Sequence, residues 1–439
     1  MDSEQIMGST LTISVVGLGY VGLPTALAFH DLGIEVRGID TSERVVNMLV
    51  NGKNPIVDVT EHLEIPVDSP RWSVSSSFAG QIETSDVVVI TVPTPTDNDL
   101  SPDLSYVKSA FRSILSNIDS KKGTIVVLES TVSPGTTRST SKKIASEFGI
   151  TSGVDFHLAY SPERVSPGEA GRTVADVARI IGCDDPLIGK RLVELYSSIS
   201  SGECEYVDSI EIAEAAKMIE NVQRDIDIAF VNELATILPQ MGLDVEEVLE
   251  AASSKWSFHR HNPGIGVGGH CIPVDPYYYI DASRRLGVPS LLGPIAREIN
   301  EAMPHLSARM ILKSIEEVKG PRALILGYSY KPEVGDIRMT PVLQLASDLH
   351  GSGVEVAIWD PHVEPDKFPD WVITVQDPYA LKEVDAIILA TAHNKCLELA
   401  WEKLLDSSRT RVFFDGRRVL SKRKMEAIGW NYMGVGLPQ

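Results

Sequence analysis

The sequence predicts an α/β protein with two doubly wound, Rossmann-like parallel-sheet domains joined by a long central helix. Three observations carry this. Strand-length apolar runs alternate with helix-like segments through the first part of the chain, which implies parallel pairing with helices on both sheet faces. From Ser209 the alternation stops, and about thirty residues carry apolar positions at helical spacing. After Gly320 the alternation resumes. The expected domains are residues 1–205, a helical middle at 206–317, and 318–439.

The elements follow in order. Leu11–Gly19 (LTISVVGLG) reads as a buried strand. Pro24–Gly33 reads as a helix opened by proline and stopped by glycine. Ile34–Asp40 is a second strand, and Ser85–Pro93, Gly123–Ser130 and Asp155–Pro162 are further strands. The segment Ser209–Met241 exceeds ordinary globular helix length, so it is expected to connect two domains and to serve a subunit interface, with Pro239 kinking or ending it. Arg322–Ser329, Val354–Pro361, Asp385–His393 and Arg411–Gly416 are strands of the last domain, with a helix near Thr340–Gly353.

Composition narrows the function. The 439 residues hold 40 Lys+Arg against 60 Asp+Glu, a formal charge of −20, which repels phosphate backbones and argues against nucleic acid as a partner. An anionic ligand would need basic residues gathered locally. No apolar run reaches the ~18 residues of a membrane span. The polar start MDSEQIMGST lacks the basic and apolar regions of a signal peptide. The four cysteines, Cys183, Cys204, Cys271 and Cys396, form neither a disulfide framework nor a zinc pattern. A cytoplasmic protein with reduced thiols and no bound metal is expected.

Gly17-Leu-Gly-Tyr-Val-Gly22 is a G-x-G-x-x-G loop between an expected strand and an expected helix. An acid, Asp40, ends the next strand. This context is the dinucleotide fingerprint. Gly17 permits the tight turn, Gly19 lets backbone reach a pyrophosphate at the helix N-terminus, and Gly22 allows close helix–strand packing. Tyr20 and Val21 belong to the same loop. A carboxylate at Asp40 accepts from ribose hydroxyls and repels a 2′-phosphate, so NAD is favoured over NADP. Arg44, nearby, weighs slightly the other way.

Asn262–Pro276 (NPGIGVGGHCIPVDP) is the most informative stretch. Gly264, Gly266, Gly268 and Gly269 crowd in before Cys271, and such density lets backbone approach a ligand closely. A lone cysteine is most often a small buried hydrophobe. His270 reads as a base, a ligand or a plain loop residue.

The order GLGYVG, ESTVSPGTT, SPERVSPG, AEAAKMIEN, GVGGHCIPVDP, GYSYKPEVGDIRMTP, FFDGRR resembles the UDP-glucose/GDP-mannose dehydrogenase family, from about Leu11 to Leu420. The resemblance implies an NAD domain, a central helix and a UDP-sugar domain, and a four-electron oxidation of a C6 alcohol to a carboxylate with two NAD. By position in the motifs, Cys271 is the nucleophile that forms a thiohemiacetal and then a thioester. Asp275 assists the hydrolytic water, and Glu163 is the general acid/base. Lys217 and Asn221, four apart on the long helix, hold the C6 oxygen, the ammonium stabilising its developing charge. Thr94, Thr131 and Arg338 correspond to cofactor-contacting segments. Arg164, Val165, Gly268 and Lys331 fall in substrate-contacting ones. Arg417 or Arg418 binds the UDP side, where a planar guanidinium suits phosphate. Arg260 or His261 reaches a substrate held by the neighbouring subunit of a homodimer built on the central helix.

The UDP-glucose branch tends to read NPEFLxEG and GFGGSCFPKD. Here Val274 replaces the lysine and His270 the serine, features of the branch acting on UDP-N-acetylhexosamines. SPERVSPG and the segment around AEAAKMIEN lean toward N-acetyl-D-mannosamine over N-acetyl-D-glucosamine. Gln223 departs from the family, where an aromatic is usual. Two rival classes share part of the pattern: a two-electron hydroxyacid-type dehydrogenase with Cys271 structural, and a nucleotide-sugar binding protein without turnover.

Overall fold

The computed structural model describes residues 11–56, 63–164 and 178–438. Its strands are β1 (Thr12–Val16), β2 (Glu35–Ile39), β3 (Trp72–Ser75), β4 (Val87–Ile90), β5 (Ile125–Leu128), β6 (His157–Tyr160), β7 (Arg179–Cys183), β8 (Cys204–Val207), β9 (Arg322–Leu326), β10 (Glu355–Trp359), β11 (Ile373–Thr374), β12 (Val384–Leu389), β13 (Ser408–Asp415) and β14 (Asn431–Gly434). The first eight form one sheet in the order β3-β2-β1-β4-β5-β6-β7-β8, and the last six a second in the order β11-β10-β9-β12-β13-β14. In both, the order reverses beside the first strand, the mark of a doubly wound sheet.

Both sheets are buried on two faces, because alternate residues of a strand point opposite ways. Val87 and Val89 join one core cluster, Val88 and Ile90 another. In the second sheet Ala323 and Ile325 face one core, Leu324 and Leu326 the other. This is why the strands read as unbroken apolar runs rather than alternating ones.

Three features differ from the sequence expectation. β7 pairs antiparallel with β6, so the first sheet is not parallel throughout. The first helix spans Gly22–Asp31, two residues earlier than Pro24. Gly22, without a Cβ, lets the helix begin inside the loop, and Pro24 falls in the first turn, where a missing N–H costs little. Short strands such as β3, β8 and β14, with polar residues among their few, were not legible as strands.

The central helix runs Ile210–Ile237 and passes into a 3-10 turn, Leu238–Met241, that contains Pro239. Its apolar residues are divided, with Ala213, Met218, Val222, Ala229, Val231 and Ala235 buried as core packing requires. Ile212, Ile219, Phe230 and Ile237 are exposed, while Glu214, Lys217, Asn221, Asp225 and Asn232 are buried. At ~3.6 residues per turn the exposed apolar residues form one stripe, and the buried polar ones lie opposite it, among the buried apolar side chains. Gln223 is exposed, so the missing aromatic leaves no gap in the core.

By compactness the chain divides within this helix. One unit comprises the chain up to Glu220 with Tyr277–Val288, the other Asn221–Pro276 with the chain from Pro289. The expected middle segment is thus shared between the two. Among the described residues, no helix is long and apolar enough to cross a membrane.

Candidate active site

In the first unit the three glycines of the loop have three distinct surroundings. Gly17 has φ +93, and a Cβ there would press on the Thr91 backbone at 3.1 Å. At Gly22 a Cβ would overlap the Gly17 carbonyl. At Gly19 nothing lies within 4 Å. The first two glycines serve the protein's own packing, and the third leaves open space at the start of the helix Gly22–Asp31, where backbone N–H groups and the helix dipole favour a phosphate. Thr91 donates its hydroxyl to the Gly17 carbonyl (2.6 Å), a lock that spacing did not suggest. Asp40 accepts from Leu18 N–H (2.8 Å) and Ser42 N–H (2.8 Å), so the carboxylate is fixed beside the loop with acceptor capacity remaining. Tyr20 and Val21 are half-buried in the loop, and Arg44 is exposed with Nη1 3.8 Å from Met48 Sδ. These residues fit a dinucleotide.

Thr94 follows β4, and its carbonyl accepts from the Tyr278 hydroxyl (3.0 Å). Thr131 follows β5 in a loop anchored from below: Glu214 accepts from Gly135 N–H (2.6 Å) and Thr137 N–H (2.8 Å). Burial outweighs these donors and pushes the Glu214 carboxyl up to about 7. Lys217, one turn on, is buried. Glu163 is half-buried just beyond β6. Arg164 pairs with Glu220 and donates to the Ala178 carbonyl (3.4 Å). Val165 lies outside the described residues. Behind Glu163, Glu129 accepts from Tyr196 (2.6 Å) and faces Arg179 at 3.5 Å, an interior ion pair absent from the motif reading.

In the second unit Cys271 sits at a turn whose carbonyl accepts from Val274 N–H (3.0 Å) and Asp275 N–H (2.8 Å). Cys271 forms no disulfide and is half-buried. Asp275 is buried and accepts from Asn221 Nδ2 at 2.5 Å, so loop acid and helix amide, distant in sequence, are direct partners. The glycine density before Cys271 has a reason other than ligand approach. A Cβ at Gly268 would meet Tyr330 Cβ at 2.6 Å, and one at Gly266 would meet Pro341 at 2.8 Å. The loop lies flat against residues of its own unit.

The two arginines of the FFDGRR segment separate clearly. Arg418 pairs with Asp244 (2.7 Å) and donates to the Val435 carbonyl (3.0 Å). Arg417 donates Nε to the Ala390 carbonyl (2.8 Å) and has no carboxylate partner among the described contacts, with burial pulling it down to about 10. It stays charged at neutral pH and is the one of the two available to an anion. Lys331 is half-buried, and Arg338 pairs with Asp336 (2.6 Å). Arg260 is tied to Glu246 (2.6 Å) and Glu250, and His261 faces Asp227 at 3.5 Å.

Glu333, His362 and His393 converge with ligand-type atoms within 4.8 Å of one another. His393 Nδ1 already accepts the Glu333 backbone N–H (2.9 Å), and its Nε2 faces Asp360 and Ser329, both at 3.1 Å. Only two donors remain, short of a closed metal site.

Comparison with known proteins agrees with these features. Profiles of the UDP-glucose/GDP-mannose dehydrogenase family match three stretches: its NAD binding domain residues 11–200, its central domain 211–302, and its UDP binding domain 324–422. A UDP-N-acetyl-D-mannosamine dehydrogenase of Pyrococcus horikoshii is 34% identical over 433 residues, 97% of this chain and 99% of the relative. A UDP-N-acetyl-D-glucosamine 6-dehydrogenase of Pseudomonas aeruginosa is 34% identical over 424 residues, 95% of this chain and 99% of the relative. The solved structure of a UDP-D-ManNAc dehydrogenase from Pyrococcus horikoshii superposes with a TM-score of 0.84 at 31% identity, covering 97% of this chain and 99% of that one. A UDP-glucose dehydrogenase structure from Pyrobaculum islandicum gives 0.86 at 28% identity, covering 98% of each.

Fold and cofactor loop together define an NAD-dependent oxidoreductase. The chain belongs to the UDP-glucose/GDP-mannose dehydrogenase family, and its activity is that of an NAD-dependent UDP-sugar 6-dehydrogenase.

Proposed function

We propose that the chain oxidises the C6 alcohol of UDP-N-acetyl-D-mannosamine to the uronate, in two hydride transfers through covalent adducts of Cys271. The observation that carries the covalent reading is the Cys271–Asp275 turn, which sets a thiol and a carboxylate held by Asn221 in one short loop. NAD, when bound, accepts one hydride in each oxidation.

The residues divide the work. Lys217 and Asn221 hold the C6 oxygen as its proton passes to water. The Cys271 thiolate adds to the aldehyde carbon, and the carbonyl oxygen takes up a proton to give the thiohemiacetal. Loss of hydride and that proton leaves a thioester. Asp275 orients a water on the thioester carbon and Glu163 takes one of its protons, so the C–S bond breaks, the thiolate departs, and the carboxylic acid formed loses its remaining proton to solvent to give the carboxylate. Arg417 and Lys331 bind the diphosphate end, and Arg338, Thr94 and Thr131 serve the cofactor. The domain roles follow the same division, cofactor at 1–205 and UDP-sugar at 318–439.

The choice of epimer rests on SPERVSPG and AEAAKMIEN and on the mannosamine relative, which matches 97% of the chain. UDP-N-acetyl-D-glucosamine is the second reading, favoured by a relative of equal identity. The exposed stripe Ile212, Ile219, Phe230, Ile237 supports a homodimer through the central helix, with Arg260 or His261 offered to the partner's site. A cytoplasmic location fits a substrate and cofactor of this kind.

The test is NADH formed per sugar consumed at saturating NAD, with both epimers in parallel. Two NADH per UDP-N-acetylmannosamine supports the whole reading. Two per UDP-N-acetylglucosamine changes the sugar only, and one NADH with release of aldehyde overturns the role of Cys271.

A further inference from the structure

The loop that carries Cys271 is secured to the central helix at both ends. Its C-terminal end is held through Asp275, which accepts from Asn221 Nδ2. Its N-terminal end is held through Gly264, whose backbone N–H donates to Asn232 Oδ1 at 3.0 Å. Asn221 and Asn232 are eleven residues apart, about three helical turns, so they lie on the same face. Both are buried, Asn232 completely.

Asn232 is itself oriented by a chain of interior polar groups. Its Nδ2 donates to Asn300 Oδ1 (2.8 Å). Asn300 Nδ2 donates to Asp225 Oδ1 (2.8 Å) and to the Asp225 carbonyl (3.0 Å). Arg297 donates to the same Asp225 oxygen (2.7 Å) and to Glu301 (3.0 Å). Asp225, Arg297 and Asn300 are all 3% exposed or less. Each bond fixes which way the next amide points: with Asn300 Nδ2 committed to Asp225, its oxygen faces Asn232, and the Asn232 oxygen is left for Gly264. The chain is costly to bury and uses no group assigned to the chemistry, so a positional role is its simplest use. Gly264 is itself a close-packed position, since a Cβ there would lie 3.0 Å from Arg417.

We infer that Asn232, oriented by Asn300 and Asp225, is a positioning residue that sets where the Cys271 loop begins and so how the thiol is presented. The inference rests on the dehydrogenase reading for its kinetic consequence. Its structural consequence needs no turnover.

Two substitutions separate positioning from mere stability. Asn232→Leu removes both bonds. Asn232→Asp keeps an acceptor for Gly264 N–H but buries a charge facing Asn300 Oδ1, and is expected to be the less stable in urea unfolding. Positioning predicts the opposite order in function: kcat falls about tenfold in Asn232→Leu and stays within about threefold in Asn232→Asp. Alkylation by iodoacetamide, followed peptide by peptide in the intact protein, supplies the second readout. In Asn232→Leu the Cys271 rate rises at least threefold, while buried Cys183 and Cys396 stay as slow as in the unaltered protein. Activity that follows stability, Cys271 reactivity unchanged in Asn232→Leu, or Cys396 accelerating alongside it would each overturn the inference. If the unaltered protein makes no NADH from any UDP-sugar, the functional reading fails, and the alkylation comparison still decides this one.

Discussion

Replacing Gly19 and Gly22 separately by alanine tests the cofactor loop at the level of single atoms. At Gly22 the added methyl overlaps the Gly17 carbonyl, and backbone cannot rotate out of the way as a flexible side chain would. Overpacking of this kind costs about 1–3 kcal/mol. For a unit of this size each kcal/mol lowers Tm by roughly 2–4 °C, so a fall of about 2–12 °C is expected. At Gly19 no atom lies within 4 Å, so the methyl meets nothing in the protein. Reduced freedom of the unfolded chain adds about 0.4–1 kcal/mol, and Tm holds or rises slightly. The methyl does occupy the space a pyrophosphate needs. A cofactor pushed off the helix N-terminus by even 1.4–2.8 kcal/mol binds about 10–100-fold more weakly. Thermal melting without cofactor, paired with titration of NAD by calorimetry, reads both effects. Gly19→Ala binding NAD as tightly as the unaltered protein would refute the placement of the pyrophosphate. Gly22→Ala with an unchanged Tm would refute the packing argument.

Three further outcomes are expected. Arg417→Ala raises KM for the UDP-sugar by about tenfold or more with little change in Tm, whereas Arg418→Ala leaves Asp244 without its partner and costs about 3 kcal/mol in urea unfolding with a smaller effect on KM. Glu214, whose carboxyl rises from 4.5 to about 7 on folding, holds its proton in the native state where the unfolded chain has lost it. Stability therefore declines as pH rises from about 4.5 to 7 and levels off above, by an amount on the order of 3 kcal/mol for this group; Glu214→Gln should flatten that window in urea midpoints taken across pH. Cys271→Ala should abolish net acid formation, which product analysis by mass spectrometry reads directly, and retention of full acid output would make the thiol structural.

Much of the molecule was legible in the amino-acid order. The buried strands declared themselves because a strand covered on both faces is apolar at every position, as in Val87–Ile90. The cofactor loop did so because the turn at Gly17 and the packing at Gly22 admit no side chain. Short strands on the sheet flanks stayed hidden, since four residues such as CEYV or NYMG carry too little pattern to separate them from loop. The central helix was visible as a helix, but its orientation was not. Helical spacing of apolar residues ordinarily marks the face turned to the core; Met218, Val222, Val231 and Ala235 obey this, whereas the row Ile212, Ile219, Phe230, Ile237 faces outward.

What the sequence determined by itself was local: strand, loop and helix identities, the glycine turn with Asp40, and the set of titratable residues matched motif by motif to the family. Tertiary structure alone decided which of those groups became partners. Arg417 and Arg418 are adjacent and chemically identical, yet the guanidinium of one pairs with Asp244 across 174 positions while that of the other donates to the Ala390 carbonyl. Asn221 and Asp275, 54 positions apart, share a hydrogen bond, and Asn232 accepts from the loop at Gly264 while being oriented by partners that no motif connects. The physical reason is common to all of these. Backbone preference acts over a few residues, whereas a buried polar group must find its partner wherever folding brings one, and that choice is written only in three dimensions.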